Sequence, residues 1–216
     1  MNDTLDERLL IILSSPSGAG KSTLARLLAK DDPEIQVSIS ATTRSPRDNE
    51  NEGREYFFIT KEKFERQIDN GDFLEHAEVF GNLYGTPLKF IEDCQKKKLD
   101  VVFDIDWQGS LQIKNSKYKN NVVSIFILPP SIKELNNRLH SRGSDSRSMI
   151  KDRMKKCNDE ISHWKDYQYV LINTQVDEVM EQIKSIVSAE RLKRSRRKGL
   201  VDFVNKLNDE LKDMNS

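Results

Sequence analysis

Leu9-Leu10-Ile11-Ile12-Leu13-Ser14-Ser15-Pro16-Ser17-Gly18-Ala19-Gly20-Lys21-Ser22-Thr23-Leu24-Ala25-Arg26-Leu27-Leu28 sets three patterns end to end. An apolar run comes first, a loop of small residues second, and apolar positions at helical spacing third, so the stretch reads strand, loop, helix. From Ser15 to Ser22 the loop fits G-x-x-x-x-G-K-[ST] except at its first position, where Ser15 replaces glycine. Backbone N–H groups around Gly18 to Lys21 can point into one concavity at a helix N-terminus, where unpaired donors and the helix dipole favour an anion. Side chains at Gly18 or Gly20 would block close approach or forbid positive φ. Lys21 then reaches terminal phosphates as a compact charge, and the Ser22 hydroxyl is placed to ligate Mg²⁺.

Composition narrows what surrounds this loop. The chain has 216 residues, 36% of them hydrophobic, enough for one proper core with a small appended lobe. Lys+Arg and Asp+Glu both number 35, so no global field argues for nucleic acid or a membrane surface. Cys94 and Cys157 do not suggest a disulfide framework or zinc site, and His76, His140 and His163 show no ligand spacing. The start, Met1 to Glu7, is acidic where a signal peptide is basic, and no apolar stretch approaches the ~18 residues of a membrane span. A cytoplasmic setting is the expectation.

Beyond the first helix, which Pro33 ends, Ile35 to Ser40 alternates like one strand. Ala41 to Arg54 is polar, with Arg44, Pro46, Arg47 and Gly53, and leads into the β-like run Glu55 to Ile59. Thr60 caps a short helix closed by Gly71, Phe73 to Phe80 reads as a strand, and Gly81-Asn82 reads as a turn. Strands without crossover helices between them mark a small mixed-β insertion. Thr86-Pro87 is a cap followed by proline at the first helical position, opening a helix to about Lys98.

Leu99 to Asp106 then places acids at the end of an apolar strand, and Asp104 is the candidate for a second, Mg²⁺-side carboxylate. Asn121 to Leu128 is the next buried strand, and Ser131 with Glu134 forms a capping box for a helix carrying Arg138. Arg142 and Gly143 follow, and a second helix carries Arg153, as a lid closing on phosphate would. Tyr169 to Asn173 supplies a last strand, and a long helix begins near Asp177. After Glu190 come the basic cluster 191–198 and an amphipathic stretch with Leu200, Val201, Phe203, Val204, Leu207 and Leu211. That stretch is expected to pack on the core or on a second subunit, with oligomer contact preferred.

The loop, Ser40-Ala41-Thr42-Thr43-Arg44-Ser45-Pro46-Arg47 through Gly53 and Tyr56-Phe57-Phe58, Phe73-Leu74-Glu75 with Gly81-Asn82-Leu83-Tyr84-Gly85-Thr86, Asp104-Ile105-Asp106-Trp107-Gln108-Gly109, and Arg138-Leu139 with Arg142-Gly143 together resemble guanylate kinase, collinearly from about Leu9 to Ala189. The resemblance implies an α/β fold: a three-layer P-loop kinase core with a parallel sheet (8–41, 87–135 and 158–189), a mixed-β GMP-binding insertion (42–86), a helical lid (136–157), and beyond them the basic tail (190–216). It implies ATP as phosphoryl donor, Mg²⁺, and GMP or dGMP as acceptor. Ser40, Arg44, Arg47, Tyr56 and Tyr84 would hold the GMP phosphate, while Glu75, Thr86 and Asp106 would hold guanine. Ser15 to Ser22 and Asn173 would lie on the ATP side, with Lys21, Arg44, Arg138, Arg142 and Arg153 neutralising the transferring group. The alternative is a catalytically silent guanylate-kinase-like module that binds partner peptides in the same cleft.

Guanine chemistry agrees with the resemblance. Its Watson–Crick edge offers N1–H and N2–H₂ beside the O6 acceptor, so a carboxylate accepts both donors while a nearby hydroxyl donates to O6. Adenine presents an unprotonated N1 there, which a carboxylate repels. Glu75→Gln is therefore expected to lower kcat/KM for GMP by about tenfold to a hundredfold, because one acceptor becomes a donor facing a donor. Discrimination between GMP and AMP should narrow through loss of GMP activity; steady-state kinetics with both monophosphates at saturating MgATP reads it, and an unchanged ratio removes Glu75 from the guanine site.

Overall fold

The computed structural model describes residues 8–47, 50–141, 147–197 and 199–214; the acidic start Met1 to Glu7, Arg142 with Gly143, and Lys198 lie outside them. Five strands form a parallel sheet in the order β2 (Ile35–Val37), β7 (Asp100–Asp104), β1 (Leu10–Ser14), β8 (Val122–Leu128), β9 (Tyr169–Ile172). Alternation along β1 divides its side chains between two cores. Ile11 and Leu13, with Leu9 just before the strand, pack with Leu24 and Leu28 of α1 (Lys21–Asp31) and Ile183 and Val187 of α7 (Val176–Arg191). Leu10 and Ile12 meet Ile91 of α3 (Leu88–Lys96) and Ile113 of α4 (Trp107–Lys114) on the opposite face. A strand covered on both faces has to be apolar throughout, which is why this one reads as a continuous hydrophobic run.

The second sheet is mixed, in the order β4 (Tyr56–Phe58), β3 (Ser40–Thr42), β6 (Asn82–Pro87), β5 (Phe73–Val79). Helix α2 (Lys61–Asp69) begins where Thr60 accepts the Lys63 N–H at 3.3 Å, and its buried Phe64 stacks on Phe73 with centroids 4.5 Å apart. Gln112 of α4 ties this sheet to the core: its amide accepts the His76 N–H at 3.1 Å and donates to the His76 carbonyl at 2.6 Å, as a neighbouring strand would. Beneath the phosphate loop, α5 (Ile132–Ser141) and α6 (Arg147–Ser162) pack Leu135 and Cys157 around Ala19.

Several local expectations change. The single strand expected from Ile35 to Ser40 is two, β2 in the core sheet and β3 in the second, because the chain leaves one sheet for the other at Ser38 and Ile39. The strand expected through Asp106 ends at Asp104, and Asp106 instead caps α4, a helix the sequence reading passed over. Asn82 opens β6 rather than completing a turn, and Thr86 lies within it, so Pro87 is the cap of α3 while the Thr86 hydroxyl is engaged across the sheet. That helix closes at Lys96, short of Lys98. Of the capping box only one half forms: Ser131 accepts the Glu134 N–H at 3.1 Å, but the Glu134 carboxylate turns to Arg138 at 3.0 Å.

The tail differs most. Arg191 bonds to Asp100 at 2.8 Å and Asp32 at 2.7 Å, while Lys193 and Arg196 meet the buried Glu190 at 2.6 and 3.5 Å. Half the basic cluster is thus used inside the fold. Helix α8 (Leu200–Met214) has no buried residue, so it does not pack on its own core.

Candidate active site

At the end of β1 the Ser14 hydroxyl donates to the Ile105 carbonyl at 2.9 Å, fastening the root of the phosphate loop to the end of β7. The loop then turns on itself, with the Ala19 N–H donating to the Pro16 carbonyl at 3.1 Å and the Ser15 hydroxyl donating to the same carbonyl at 2.9 Å. Gly20, at φ 100°, is the cap of α1, and a Cβ there would lie 2.6 Å from Asn173 Nδ2. Only glycine permits that approach. Asn173 uses it by donating Nδ2 to the Ala19 carbonyl at 2.7 Å, so it is buried behind the loop and braces it.

Lys21 Nζ lies 2.9 Å from Asp104 Oδ1 and donates to the Ile105 carbonyl at 3.2 Å. Burial works against the ammonium, but Asp104 more than offsets this and holds its pKa above the ordinary value. Burial likewise pushes Asp104 upward, and Lys21 with the Ser22 hydroxyl overcomes it, leaving the carboxylate below the usual range. Both groups are therefore charged at neutral pH. Ser22 and Asp104 together offer hydroxyl and carboxylate oxygens, a donor set that suits Mg²⁺, which takes few protein ligands and shares the rest with water and phosphate.

Beside the loop a cleft of about 330 Å³ opens between Gly18, Gly20 and Thr23 on one side and Glu134, Asn137, Arg138 and Ser141 on the other. Arg138 is steadied there by Glu134 at 3.0 Å and by the Asn173 carbonyl at 3.2 Å. Arg153 comes from α6, donating Nη1 to Ser17 Oγ at 2.5 Å, while the Ser17 N–H donates to Glu160 at 3.0 Å. Arg142 lies outside the described residues.

The second sheet builds another cluster. A register irregularity between Phe73 and Glu75 sets Glu75 directly opposite Thr86, and the threonine donates both its hydroxyl, at 2.6 Å, and its N–H, at 3.0 Å, to Glu75 Oε1. Ser40 Oγ stands 3.4 Å from the Thr86 hydroxyl. Glu75 Oε2 reaches over the first turn of α4, only 2.4 Å from where a Cβ on Gly109 would be, so any side chain there would displace the carboxylate from this position. Asp106 borders the same space, accepting the Gly109 N–H and a Gln108 amide hydrogen, each at 3.0 Å. Burial, despite the Thr86 bonds, pushes the Glu75 carboxyl up to about 7.

Further along β3 and β6, Arg44 donates to the Tyr84 hydroxyl at 3.3 Å and to Glu50 at 2.8 Å, with its guanidinium 5.4 Å from the Tyr56 ring. Arg47 shares Glu50 at 3.8 Å. Burial raises the Tyr56 hydroxyl to about 12, so it stays a donor at neutral pH. The structure thus gathers Ser40, Glu75, Thr86 and Asp106 in one group, Arg44, Arg47, Tyr56 and Tyr84 in a second, and the loop with Asp104, Arg138, Asn173 and Arg153 in a third. Glu50, Gln112 and Glu160 were missed. Glu50 stands within six positions of both arginines but is not singled out from its acidic neighbours by any local pattern; Glu160 stands 143 positions from its partner Ser17.

A parallel sheet whose central strand feeds a phosphate loop, joined to a second sheet holding a buried carboxylate and a cationic cluster, defines a nucleoside monophosphate kinase of the P-loop type. The family profile described as guanylate kinase matches residues 7–190. The guanylate kinase of Ruegeria pomeroyi is 55% identical over 206 residues, covering 95% of this chain and 97% of the relative. That of Cereibacter sphaeroides is 55% identical over 202 residues, covering 94% and 96%. The crystal structure of guanylate kinase from Anaplasma phagocytophilum superposes with a TM-score of 0.77 at 39% identity, covering 91% of this chain and 93% of that one. The chain belongs to the guanylate kinase family, and its activity is phosphoryl transfer from ATP to GMP.

In the guanine-facing role that the resemblance implies for it, Glu75 would give this activity a pH signature. Burial favours the protonated acid, with a pKa near 7 against an ordinary 4.5, whereas guanine's donor edge needs the anion. GMP binding is therefore expected to release about half a proton at pH 7, and KM for GMP to rise toward tenfold per unit as pH falls below that point. Calorimetry in two buffers of different ionisation enthalpy counts the protons; no release, or uptake, would mean that Glu75 does not face the base. The folding linkage runs the opposite way: stabilisation from the protonated acid is complete below 4.5 and is lost as pH rises through about 7.

Proposed function

We propose that the transfer is an in-line attack of a GMP phosphate oxygen on the γ-phosphorus of ATP, with the chain's residues divided among three tasks. Glu75, Thr86 and Asp106 select guanine, and Ser40, Arg44, Arg47, Tyr56 and Tyr84 hold and orient the acceptor phosphate. Lys21, the backbone donors of Ser15 to Ser22, Arg138 and Arg153 bind the donor phosphates and offset the charge of the transferring group. Arg142 belongs to the same task by its place in the sequence. Because phosphate's second pKa is about 6, the nucleophile is already largely ionised at neutral pH and no general base is needed. Mg²⁺, held by Ser22 and Asp104, supplies charge neutralisation at the phosphates.

On this reading residues 8–41, 87–135 and 158–189 are the catalytic core, 42–86 the GMP-binding unit and 136–157 the lid. The observation that carries it is the buried Glu75–Thr86 pair, since a carboxylate is costly to bury unless a ligand with matching donors makes use of it. A silent peptide-binding module would need neither the Lys21–Asp104 pair nor arginines held at the loop, and both are present. Lys21→Met is expected to lower kcat by about a hundredfold or more with GMP affinity nearly unchanged, because the lysine acts on the donor phosphates. A coupled ADP-release assay and equilibrium GMP binding check this; turnover within a few-fold of the parent overturns the phosphate-loop assignment.

The tail is assigned to self-association. Along α8, Leu200, Val204, Leu207, Leu211 and Met214 recur at alternating spacings of four and three, the seam of a two-stranded coiled coil, and Val204 and Leu207 are exposed. Leu207→Glu in the full chain should shift sedimentation to a smaller species at unchanged kcat, whereas identical sedimentation would exclude this helix as the contact.

A further inference from the structure

The hairpin joining β5 to β6 turns on two residues. Val79 pairs with Asn82, leaving Phe80 and Gly81 at φ 51° and 75°. Positive φ at both central positions is the pattern of tight hairpin turn that favours Asn, Asp or Gly at the first of them. A bulky aromatic residue there is sterically unfavourable, and strain of this kind is a pointer toward function.

The ring is put to use by α6. The Arg153 guanidinium lies 5.2 Å from its centroid and the Lys156 ammonium 4.5 Å. Arg153 at the same time donates to Ser17 Oγ, and Glu160, on the same face two turns along, accepts the Ser17 N–H. One face of α6 therefore touches the tip of the hairpin that carries Glu75 and Tyr84 and also the third residue of the phosphate loop. An aromatic face holds a guanidinium flat while its in-plane N–H donors remain directed sideways, here at the loop.

We propose that Phe80 is a positioning residue for Arg153: the strained turn presents an aromatic seat, so the hairpin that binds the acceptor also sets the arginine over the donor phosphates. This rests on Arg153 acting at those phosphates.

The test uses the full-length enzyme and begins with GMP-dependent ADP release by the unaltered chain together with Arg153→Ala. Absence of turnover, or an Arg153→Ala enzyme as fast as the parent, would refute the role of the site itself. Given both, Phe80→Asn, which suits the turn, should keep or raise Tm yet lower kcat by about tenfold, with KM for ATP within about twofold. Phe80→Tyr should keep kcat within about twofold, and Phe80→Leu should fall with the asparagine variant, since it has bulk without a π face. In the Arg153→Ala background Phe80→Asn should cost little more. Full kcat in Phe80→Asn or in Phe80→Leu, or an equal loss in both backgrounds, overturns the proposal.

Discussion

Parallel pairing of β1 with β7 is the constraint from which the site follows. The register sets Leu13 opposite Asp104, so the strand that enters the phosphate loop and the strand that ends in an acid finish side by side. Lys21, one loop later, then finds its counter-charge without any further device, and the loop's root is fastened to Ile105. β8 on the other side completes the switch point, where connections diverge to opposite faces and leave a crevice at the carboxyl ends of the strands. A one-residue slip would turn Ile11 and Leu13 into the wrong core, and two differently packed faces hold the register against it.

On the proposed reading, substrate choice is built on a cost rather than on a stabilising contact. Glu75 sits almost without solvent, shares one oxygen with both donors of Thr86, and extends its other oxygen into space that a side chain at position 109 would occupy. Burial keeps the acid partly protonated, and in the proposed role guanine's donor edge would be the group that completes the ion. At the other end of the same sheet, Glu50 gathers Arg44 and Arg47 before any phosphate is considered, reducing the repulsion between two nearby guanidinium groups.

Charged residues elsewhere show how context decides the meaning of a charge run. Arg191 closes the end of the central sheet against Asp100, whose other oxygen accepts the Leu9 N–H, and Lys193 and Arg196 neutralise a fully buried Glu190. Removing Arg191 would leave the buried Asp100 without its cation, which is why such groups belong to the architecture. Half of a cluster that reads as a basic surface is part of the fold.

Sequence by itself determined the phosphate loop, since strand, glycine loop and helix are consecutive and their chemistry is local; it determined Asp104 for the same reason, and the short helix after Thr60. The family motifs brought Glu75, Thr86, Arg44 and Tyr56 into view as members of a nucleotide pocket. Only the tertiary structure decided what each of these touches. Thr86 reads as a helix cap because a hydroxyl before proline is a local signal, yet the β5–β6 register directs that hydroxyl to Glu75. Asn173 reads as a ligand contact, yet the absence of a side chain at Gly20 lets it brace the loop from behind. Helix α4 went unread, although it supplies both the glycine under Glu75 and the amide that joins the two sheets. Contacts such as Glu160 with Ser17 link positions 143 residues apart, and no local pattern encodes such a pairing because it is the packing of α6 on the loop that creates it.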